Sequence, residues 1–350
     1  MFVHLHVHSE YSLLDGACRI GPLVDTAAKR GDPAVAITDH GVMYGAVDFY
    51  KAAKAKGINP IIGCEVYVAP RTRFDKTREL DSENRHLVLL CENNEGYQNL
   101  IAMVSKSWTE GFYSKPRVDY ALLKQYHKGL IALSACLAGE VARCLTAGNY
   151  DAAKAAALRY DGIFGRGNFY LELQDHGLRE QKAINPSIIR ISHETGIPLV
   201  VTNDCHYIRP EDSEMHRILL CIQTNHTVED KEGLEFRSNQ YYYKTEREMR
   251  ALFPEIPEAA DNTVKIAERC HVKFEFGKTK LPRFDTPNGQ DNVAYFREKC
   301  REGMKRRYGD HPDKKIVQRL DYELDTIQKM GYVNYYLIVH DQVIVDITHL

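Results

Sequence analysis

Short apolar runs alternate with amphipathic segments over roughly the first 276 residues of the chain. The apolar runs have the length and β-branched content of buried strands, which are predicted at Phe2–His8, Ala34–His40, Ile61–Ala69, His86–Glu92, Leu130–Cys136, Phe169–Asp175 and Leu199–Tyr207. Helical spacing predicts helices at Ile20–Arg30, Ala46–Lys56, Tyr97–Trp108, Glu140–Phe164 (one helix, or two that meet at Gly148) and Gln181–Thr195. Strands that alternate with helices predict an α/β fold with parallel pairing and right-handed crossovers, either a barrel or an open sheet.

After about Phe276 the pattern changes to a linker followed by helices. Residues 280–284 and 286–289 have the composition of the linker, and amphipathic helices are predicted at about Asn292–Tyr308 and Asp313–Met330. The apolar stretch Tyr335–Val345 has no evident partner in the sequence. We therefore predict two domains, residues 1–276 and 277–350, the second being the truncated start of a further domain.

Composition excludes several classes of protein. The chain has 350 residues, 44% hydrophobic and 27% charged, and its formal net charge is −2, so it has no overall attraction to nucleic acid or membrane. A basic patch, residues 297–319, holds nine Lys/Arg and four Asp/Glu, which fits a solvated helix face or a phosphate-binding surface. Because no membrane-length apolar run or signal peptide is present, and the nine cysteines include no C-x-x-C pair, we expect a cytoplasmic protein with reduced thiols.

Histidines alternate with apolar residues in the first predicted strand. His4, His6 and His8 would lie on one face of that strand, with neighbouring histidines about 6 to 7 Å apart at the backbone. That spacing lets His6 and His8 bind one metal ion. A lone strand histidine is usually structural, but three at this spacing favour metal.

Further ionisable residues stand where other predicted strands end. Asp39 and His40 close the second strand, Glu65 follows an apolar run in the third, and Asp204 and His206 repeat the i, i+2 spacing near the end of the last. Glu65 alone would be explained as well by a salt bridge to a neighbouring residue. Only a closed ring of strands gathers all these positions at one mouth, so the ligand distribution favours the barrel over the open sheet. A mixed imidazole and carboxylate set favours Zn²⁺, Mn²⁺ or Fe²⁺ over Mg²⁺ or Ca²⁺.

Several motifs together resemble the polymerase and histidinol phosphatase (PHP) family, and most closely the N-terminal part of bacterial replicative DNA polymerase III alpha subunits. The resemblance covers nearly the whole chain, to about Asp341. The matching segments are His6–Ser9, Tyr11–Gly16, Thr38–Gly41, Gly45–Tyr50, Gly63–Glu65, Gly111–Tyr113, Leu130–Cys136, Asn203–His206, Asp261–Thr263, Leu281–Phe284 and Gly331–Tyr332.

The resemblance implies a distorted seven-stranded TIM-like barrel with a cleft for three divalent metals at the strand C-termini. Carried over position by position, the metal ligands would be His6, His8, Asp15, His40, Glu65, His86, Cys136, Asp204 and His206. Of these, His8, Asp15, Asp204 and His206 are predicted to be catalytic. His86 begins its predicted strand instead of ending it, and Cys136 also fits an ordinary core thiol. His4 is not a ligand in the family pattern, and His176 is a further candidate for contacting substrate.

The activity implied by the resemblance is metal-assisted phosphoester hydrolysis, in the form of a 3′→5′ exonuclease that proofreads DNA. Expected partners are the DNA 3′ end and other DNA polymerase III subunits. Two alternatives remain: a metal-stabilised structural scaffold within the polymerase, and a small-molecule phosphatase of the histidinol phosphatase type. The polymerase-like segment after Phe276 argues against the small-molecule phosphatase.

This polypeptide alone is predicted not to synthesise DNA. Nucleotidyl transfer needs carboxylates that hold two metal ions around the primer end, and the resemblance places those carboxylates beyond Leu350. The residues after Asp341 also depart from the family pattern. Primer extension by the purified chain on a primed template, with a complete replicative polymerase as positive control, measures this directly. Template-dependent incorporation of nucleotides would contradict the prediction.

Overall fold

The computed structural model describes residues 1–230, 236, 238–278 and 281–348. The chain divides into two compact units, Met1–Lys273 and Phe274–Leu350. In the described residues the strands are β1 Ala34–Ile37, β2 Asn59–Val68, β3 Arg85–Cys91, β4 Arg117–Val118, β5 Leu130–Leu133, β6 Phe169–Leu173 and β7 Leu199–Val201. The helices are α1 Ile20–Arg30, α2 Ala46–Ala55, α3 Arg78–Asp81, α4 Asn94–Thr109, α5 Tyr120–Tyr126, α6 Glu140–Thr146, α7 Tyr150–Phe164, α8 Arg179–Thr195, α9 Ser213–Thr224, α10 Glu246–Leu252, α11 Pro257–Arg269, α12 Asn292–Tyr308, α13 Lys314–Lys329 and α14 Val333–Thr348.

The strands form one curved mixed sheet in the order β1-β2-β3-β5-β6-β7. The first residues of β2 pair with β1, and its last two residues pair with the short strand β4. The prediction of purely parallel pairing is wrong at β3, which runs antiparallel to both β2 and β5. A fully buried strand carries no sequence periodicity that reveals its direction. The segment between β2 and β3 contains only the four-residue helix α3, whereas the crossover between parallel strands usually contains a full helix.

The extended N-terminal segment, residues 2–8, joins the two edges of this sheet. On one side Ala36 N donates to His4 O (3.0 Å) and Thr38 N donates to Val7 O (2.8 Å). On the other side His8 N donates to Cys205 O (2.8 Å), and Cys205 N donates to His6 O (3.0 Å). The ring of the predicted barrel is therefore closed by this segment.

The predicted strand Phe2–His8 does not form a regular ladder, although it is extended and hydrogen-bonded on both sides. Val3 N donates to Thr263 Oγ1 and Val7 N donates to Thr38 Oγ1, so side-chain hydroxyls take the place of strand carbonyls. Other predicted strands end earlier than expected, at Ile37, Leu133, Leu173 and Val201. The residues that follow turn out of the sheet and form the mouth of the barrel.

Two of these turns contain residues with left-handed backbone. Ala135 has a φ of 63° and Asp204 a φ of 43°, values that a regular strand does not allow. Strained conformations of this kind persist only where surrounding contacts fix them. In this barrel they lie next to Cys136 and at a predicted metal ligand.

Helix α11 covers the end of the barrel opposite to the mouth. Ile266, Ala267 and Cys270 join the buried core formed by the strands and residues 2–8. Asn262 Nδ2 donates to Leu199 O (2.8 Å), and Asn59 Nδ2 donates to Cys270 O (3.0 Å). These contacts satisfy backbone carbonyls that would otherwise be left unpaired.

The second unit is helical. Phe296 of α12, Leu324 of α13, and Val333 and Leu337 of α14 form its buried core. The predicted unpartnered stretch Tyr335–Val345 therefore lies in a helix whose first turns are packed, and the side chains from residue 342 onward are outside the described set. Lys280 of the predicted linker also lies outside the described residues.

Part of the basic patch, residues 297–319, is neutralised within this unit. Ion pairs join Arg297 to Asp325, Lys299 to Glu302, Lys305 to Asp310, and Arg319 to Glu323. Among the described residues, no helix is long and apolar enough to span a membrane.

Shortening Leu5 is expected to destabilise the barrel, because its side chain is fully buried in the ring-closing segment. Leu5→Ala should lower the free energy of unfolding by about 2 to 5 kcal/mol through lost burial and a residual cavity. Leu158→Ala is the matched control, since Leu158 is exposed on α7 and its loss should change stability by less than about 0.5 kcal/mol. Urea unfolding monitored by circular dichroism measures both. Equal effects of the two substitutions would contradict the proposed role of residues 2–8.

Candidate metal centre

The predicted ligands lie together at the mouth of the barrel. They come from elements far apart in sequence. His6 and His8 belong to the ring-closing segment, and Asp15 to the loop after it. Glu65 lies in β2 and His86 in β3, while the ligands that follow strands are His40 after β1, Cys136 after β5, and Asp204 and His206 after β7. Among the described residues, three overlapping groups have donor atoms within 4.8 Å of one another: His6/His8/Asp204, His8/His40/His206 and His40/Glu65/His86.

The most buried group is centred on Asp204. Its Oδ1 lies 3.2 Å from His6 Nε2 and 3.1 Å from His8 Nε2. His6 Nε2 also lies 3.3 Å from Glu65 Oε1, so the two carboxylates approach the same imidazole nitrogen. This arrangement places nitrogen and oxygen donors around one buried point.

Glu65 links the Asp204 group to His40 and His86. Its Oε2 lies 2.7 Å from His40 Nδ1, and its Oε1 lies 3.0 Å from His86 Nδ1. His86 reaches the mouth although it is near the start of β3, because β3 is antiparallel and its first residues lie beside the last residues of its neighbours. The antiparallel direction of β3 thus explains why a ligand lies near the start of its strand and not at the end.

Asp15 and His206 complete the outer part of the cluster. The Asp15 carboxylate lies 3.2 Å from His40 Nε2 through Oδ2 and 3.6 Å from His206 Nε2 through Oδ1. The His8 ring stacks on that of His40 at 4.0 Å and lies 4.4 Å from that of His206. The loop that carries Asp15 is tight: a Cβ on Gly16 would lie 2.2 Å from Ser9 O.

Cys136 is at the edge of the cluster and belongs to none of the three groups. Its Sγ lies 3.8 Å from His86 Nδ1. Burial, together with the charges of Asp204 and Glu65, raises the pKa of the Cys136 thiol well above its usual value. Because a thiol binds metal as the thiolate, Cys136 would ligate only where a cation stabilises the deprotonated form.

Hydrogen bonds orient the rings of His6 and His206 so that Nε2 of each faces the cluster. His6 Nδ1 donates to Glu172 Oε1 (3.0 Å), and His206 Nδ1 donates to Asp204 O (2.8 Å). These acceptors carry no proton, so the neutral rings are assigned as the tautomer with a bare Nε2. Such partners fix the orientation of metal-binding histidines and increase their basicity.

His8 is held by a relay of two residues. Its Nδ1 donates to Ser12 Oγ (3.2 Å), and Ser12 Oγ donates to Asp39 Oδ1 (2.7 Å). Asp39 also accepts from the backbone and hydroxyl of Ser9. The predicted strand-end acid Asp39 therefore orients a ligand instead of being one.

The donor atoms fit a divalent metal. Six of the twelve buried side-chain N and O atoms that lack a well-formed hydrogen bond in the described residues belong to this cluster: His6 Nε2, His8 Nε2, Asp15 Oδ1, His40 Nδ1, Glu65 Oε2 and Asp204 Oδ1. Buried polar atoms are normally paired, because leaving one unpaired costs about 1 to 3 kcal/mol. Their convergence at one point is what a bound cation would explain, and the mixed donor set favours Zn²⁺, Mn²⁺ or Fe²⁺.

The cluster is strongly coupled electrostatically. Burial opposes ionisation of Asp204 and Glu65, but the surrounding imidazoles outweigh it and hold the pKa of both carboxyls well below their usual values. Burial also opposes protonation of His40, yet the charges of Glu65 and Asp15 raise its pKa to about 10. For His8, burial and the neighbouring His40 and His206 lower the pKa to about 3. The carboxyl groups of Asp204 and Glu65 are therefore anionic. In the absence of a bound metal ion, protonated imidazoles balance their negative charge.

Two other histidines from the sequence are structural. His4 Nε2 donates to Lys244 O (2.8 Å), and its ring packs on Tyr243 at 4.1 Å, in agreement with its exclusion from the ligand set. The expectation that His176 contacts substrate is wrong. Its Nε2 donates to Asn203 O, its Nδ1 accepts from Gln181, and burial lowers its pKa to about 4, so both ring nitrogens are occupied within the protein.

Sequence reasoning missed Glu172 and His216. Glu172 lies in β6 and, besides His6, accepts from Ala135 N (2.6 Å) and from the Thr202 hydroxyl. A charged residue in the middle of the apolar run Phe169–Leu173 was the available signal. His216 Nε2 donates to Asp15 O (2.8 Å) and fixes the loop of that ligand, but nothing in its helical context distinguishes it in sequence.

Comparisons with known proteins agree with this architecture. The sequence-family model of the PHP domain matches residues 4–176, and the sequence-family model of the bacterial DNA polymerase III alpha NTPase domain matches residues 294–347. DNA polymerase III subunit alpha of Treponema pallidum is 46% identical over 97% of this chain and 29% of its own length. The subunit of Thermus aquaticus is 38% identical over 98% of this chain and 33% of its own length. The chain thus spans about a third of the length of these relatives.

Among solved structures, an amidohydrolase from Chromobacterium violaceum with bound sulfate and no metal is similar at 16% identity and a TM-score of 0.37. The match covers 59% of this chain and 88% of that structure.

Replacing Glu172 is expected to weaken metal binding, although Glu172 is not itself a proposed ligand. Glu172→Gln removes the negative charge of the carboxylate that accepts from His6 Nδ1. The new amide group also faces the donors Ala135 N and the Thr202 hydroxyl, so the affinity for metal should fall about 10- to 100-fold. Glu83→Gln is the control, because the Glu83 side chain is 80% exposed and pairs only with Arg143 in the described residues. Titration of chelator-treated protein with Zn²⁺ and with Mn²⁺, followed by calorimetry, measures the change. Unaltered affinity for both ions would contradict the assigned role of Glu172.

Proposed function

This chain belongs to the PHP-domain family of bacterial DNA polymerase III alpha subunits, and we propose that its barrel is a metal-dependent phosphoesterase that acts as a 3′→5′ exonuclease on DNA. The observation that carries the proposal is the convergence at the barrel mouth of buried nitrogen and oxygen donors that lack a well-formed hydrogen bond. Divalent metals bound there would supply Lewis acidity toward phosphate oxygens and would acidify a water molecule.

We assign the metal ligands as the nine predicted residues, with Cys136 the least supported. His8 has only Nε2 free, since its Nδ1 is held by Ser12, so His8 can serve one ion at a time. The groups His6/His8/Asp204 and His8/His40/His206 both contain His8, so a metal ion in each group would need one further donor. Asp15 is close enough to both His40 and His206 to be that donor. Glu65 and Asp204 would each offer two carboxylate oxygens to bound metal.

Substrate would reach the cluster through its outer side. The side chains of Asp15 and His40 are 17% and 14% exposed, whereas His6 and His8 are fully enclosed. Asp15 and His40 also line a cavity of about 280 Å³ that opens next to the cluster. In this position the Asp15 carboxylate can orient the attacking water through an oxygen that is not bound to metal. His206, whose Nδ1 donates to Asp204 O, presents its Nε2 to a metal ion. His8 and Asp204 keep the buried side of the site fixed.

The similarity to alpha subunits extends through the helical unit, which a stand-alone small-molecule phosphatase does not require. DNA and other replicase subunits are therefore the proposed partners. Polymerase activity of a longer protein that contains this chain is proposed on the same ground. The remaining alternative is a barrel whose metals serve only to stabilise the subunit.

Asp204→Asn is expected to abolish hydrolysis, because it removes the charge that both His6 and His8 approach. Release of nucleotides from a 3′-labelled single-stranded oligonucleotide with Mn²⁺ or Zn²⁺ should fall about 100-fold or more, beyond the loss typical of a residue that only orients a ligand. Asp151→Asn on the surface of α7 is the matched control and should retain full activity. A chelator should abolish the activity of the unmodified protein, and added metal should restore it.

Melting temperatures of the same proteins separate catalysis from scaffold. An Asp204→Asn variant that melts like the parent but has lost hydrolysis supports the exonuclease. A parent protein that releases no nucleotides with any of the ions, and whose melting temperature collapses on chelation, would assign the metals to structure. A parent that cleaves p-nitrophenyl phosphate but not the oligonucleotide would point to the small-molecule phosphatase.

A further inference from the structure

An aromatic surface lies beside the metal centre, and its residues are not among the proposed metal ligands. The rings of Trp108 and Phe112 are stacked, with centroids 5.4 Å apart and planes inclined by 21°. Trp108 is 41% exposed and Phe112 is 44% exposed. We refer to these two residues as the aromatic shelf. Exposed aromatic side chains that adjoin a polar site are typical of recognition surfaces.

The aromatic shelf and the metal centre share one cavity. Trp108 and Phe112 line the cavity of about 280 Å³ that Asp15 and His40 also line. Its volume is near the lower end of the roughly 300 to 1,000 Å³ of small-molecule sites, which suits a single flat group better than an extended ligand. A group stacked on the shelf would therefore lie next to the outer side of the metal cluster.

A hydrogen bond fixes the shelf to the ligand-bearing backbone. Trp108 is near the end of α4, and its indole Nε1 donates to Gly41 O (2.9 Å). Gly41 directly follows His40 and has a left-handed φ of 63°, with Tyr67 and Pro116 so close that a Cβ would clash. The indole is thus held at a set position relative to His40.

The same cavity holds a cation and further rings. Lys115 is exposed, with its Nζ 5.5 Å from the centroid of the Tyr67 ring, and Tyr44 is 60% exposed. Aromatic faces combined with a lysine beside a phosphoester-cleaving site match the two chemical parts of a nucleotide, the base and the phosphate.

We infer that the aromatic shelf stacks on an unpaired base at the 3′ end of single-stranded DNA, while Lys115 contacts the adjoining backbone phosphate. This inference rests on the proposed exonuclease function and names how its substrate is held. At a duplex end the terminal base is held in a base pair, which is wider than the single flat group that this cavity suits, so the shelf selects a frayed or single-stranded end. Stacking tolerates any base, as an exonuclease substrate requires.

Intrinsic fluorescence tests the inference directly, because Trp108 is the one tryptophan of the chain. Chelator-treated protein should be titrated with a 3′-ended oligothymidylate, with an abasic oligomer of equal length, and with a blunt duplex. We expect saturable quenching by the oligothymidylate, and at least about 5-fold weaker binding of the abasic oligomer and the duplex, as the loss of a stacked base predicts. Absence of metal prevents cleavage during the measurement.

Substitutions at Phe112 and Lys115 separate stacking from charge. Phe112→Ala should raise Kd for the oligothymidylate about 5- to 100-fold, and Phe112→Tyr, which keeps the ring, should stay close to the parent. Lys115→Gln should lower the slope of log Kd against log salt by about 0.7, the value for one phosphate contact on a single strand. Tyr322→Ala is the control, because Tyr322 is 64% exposed on α13 and should not affect binding.

Anisotropy of a labelled oligonucleotide gives an independent measure of binding. Binding without a change in Trp108 fluorescence, or with equal Kd for the parent and Phe112→Ala, would overturn the inference. No detectable binding of single-stranded DNA by the parent would overturn it as well. Quenching that depends on Phe112, in a protein that hydrolyses nothing when metal is restored, would uphold the shelf and refute the exonuclease.

Discussion

Closure of the ring by residues 2–8 is the constraint on which the rest of the structure depends. This segment is hydrogen-bonded to the β1 side through Ala36 and Thr38 and to the β7 side through Cys205. Closure brings His6 and His8 between the ends of β1 and β7, so that ligands from both halves of the chain meet. An open sheet built from the same strands would leave His40 and Glu65 on one edge and Asp204 on the other. The geometry of the metal centre is thus a consequence of closure.

Closure also creates an electrostatic problem that the fold resolves locally. Glu65, Asp204 and Asp15 are held as anions, and isolated buried carboxylates would be costly. The charges of these acids raise the pKa of His6 and His40 despite burial, so protonated imidazoles offset the acids. Divalent cations supply the same compensation and must displace those protons to bind. Imidazole protons and divalent cations therefore compete for the same buried donor atoms.

Much of this arrangement was predictable from sequence, and the exceptions have physical causes. Helix α1 was predicted with the bounds observed, and the Glu140–Phe164 region forms two helices because Gly148 has a left-handed φ of 75°. The i, i+2 pair His6/His8 converges as expected, since period-two spacing survives in an extended segment. Asp204 and His206 also reach the mouth, but they belong to different donor groups, because the left-handed backbone at Asp204 interrupts the extended run. The direction of β3 was not predictable, because pairing partners and not local preference determine it. The roles of Glu172 and of the Ser12–Asp39 relay were also out of reach, since both depend on contacts between residues 27 or more positions apart.

The chemistry of the barrel and its proposed specificity are mechanically linked. His40 belongs to the metal cluster, and the next residue, Gly41, accepts the hydrogen bond of the Trp108 indole. A base on the aromatic shelf would therefore be positioned relative to His40 through the hydrogen bond between Trp108 and Gly41. Positioning of this kind lowers the entropic cost of bringing a phosphoester to its catalytic groups.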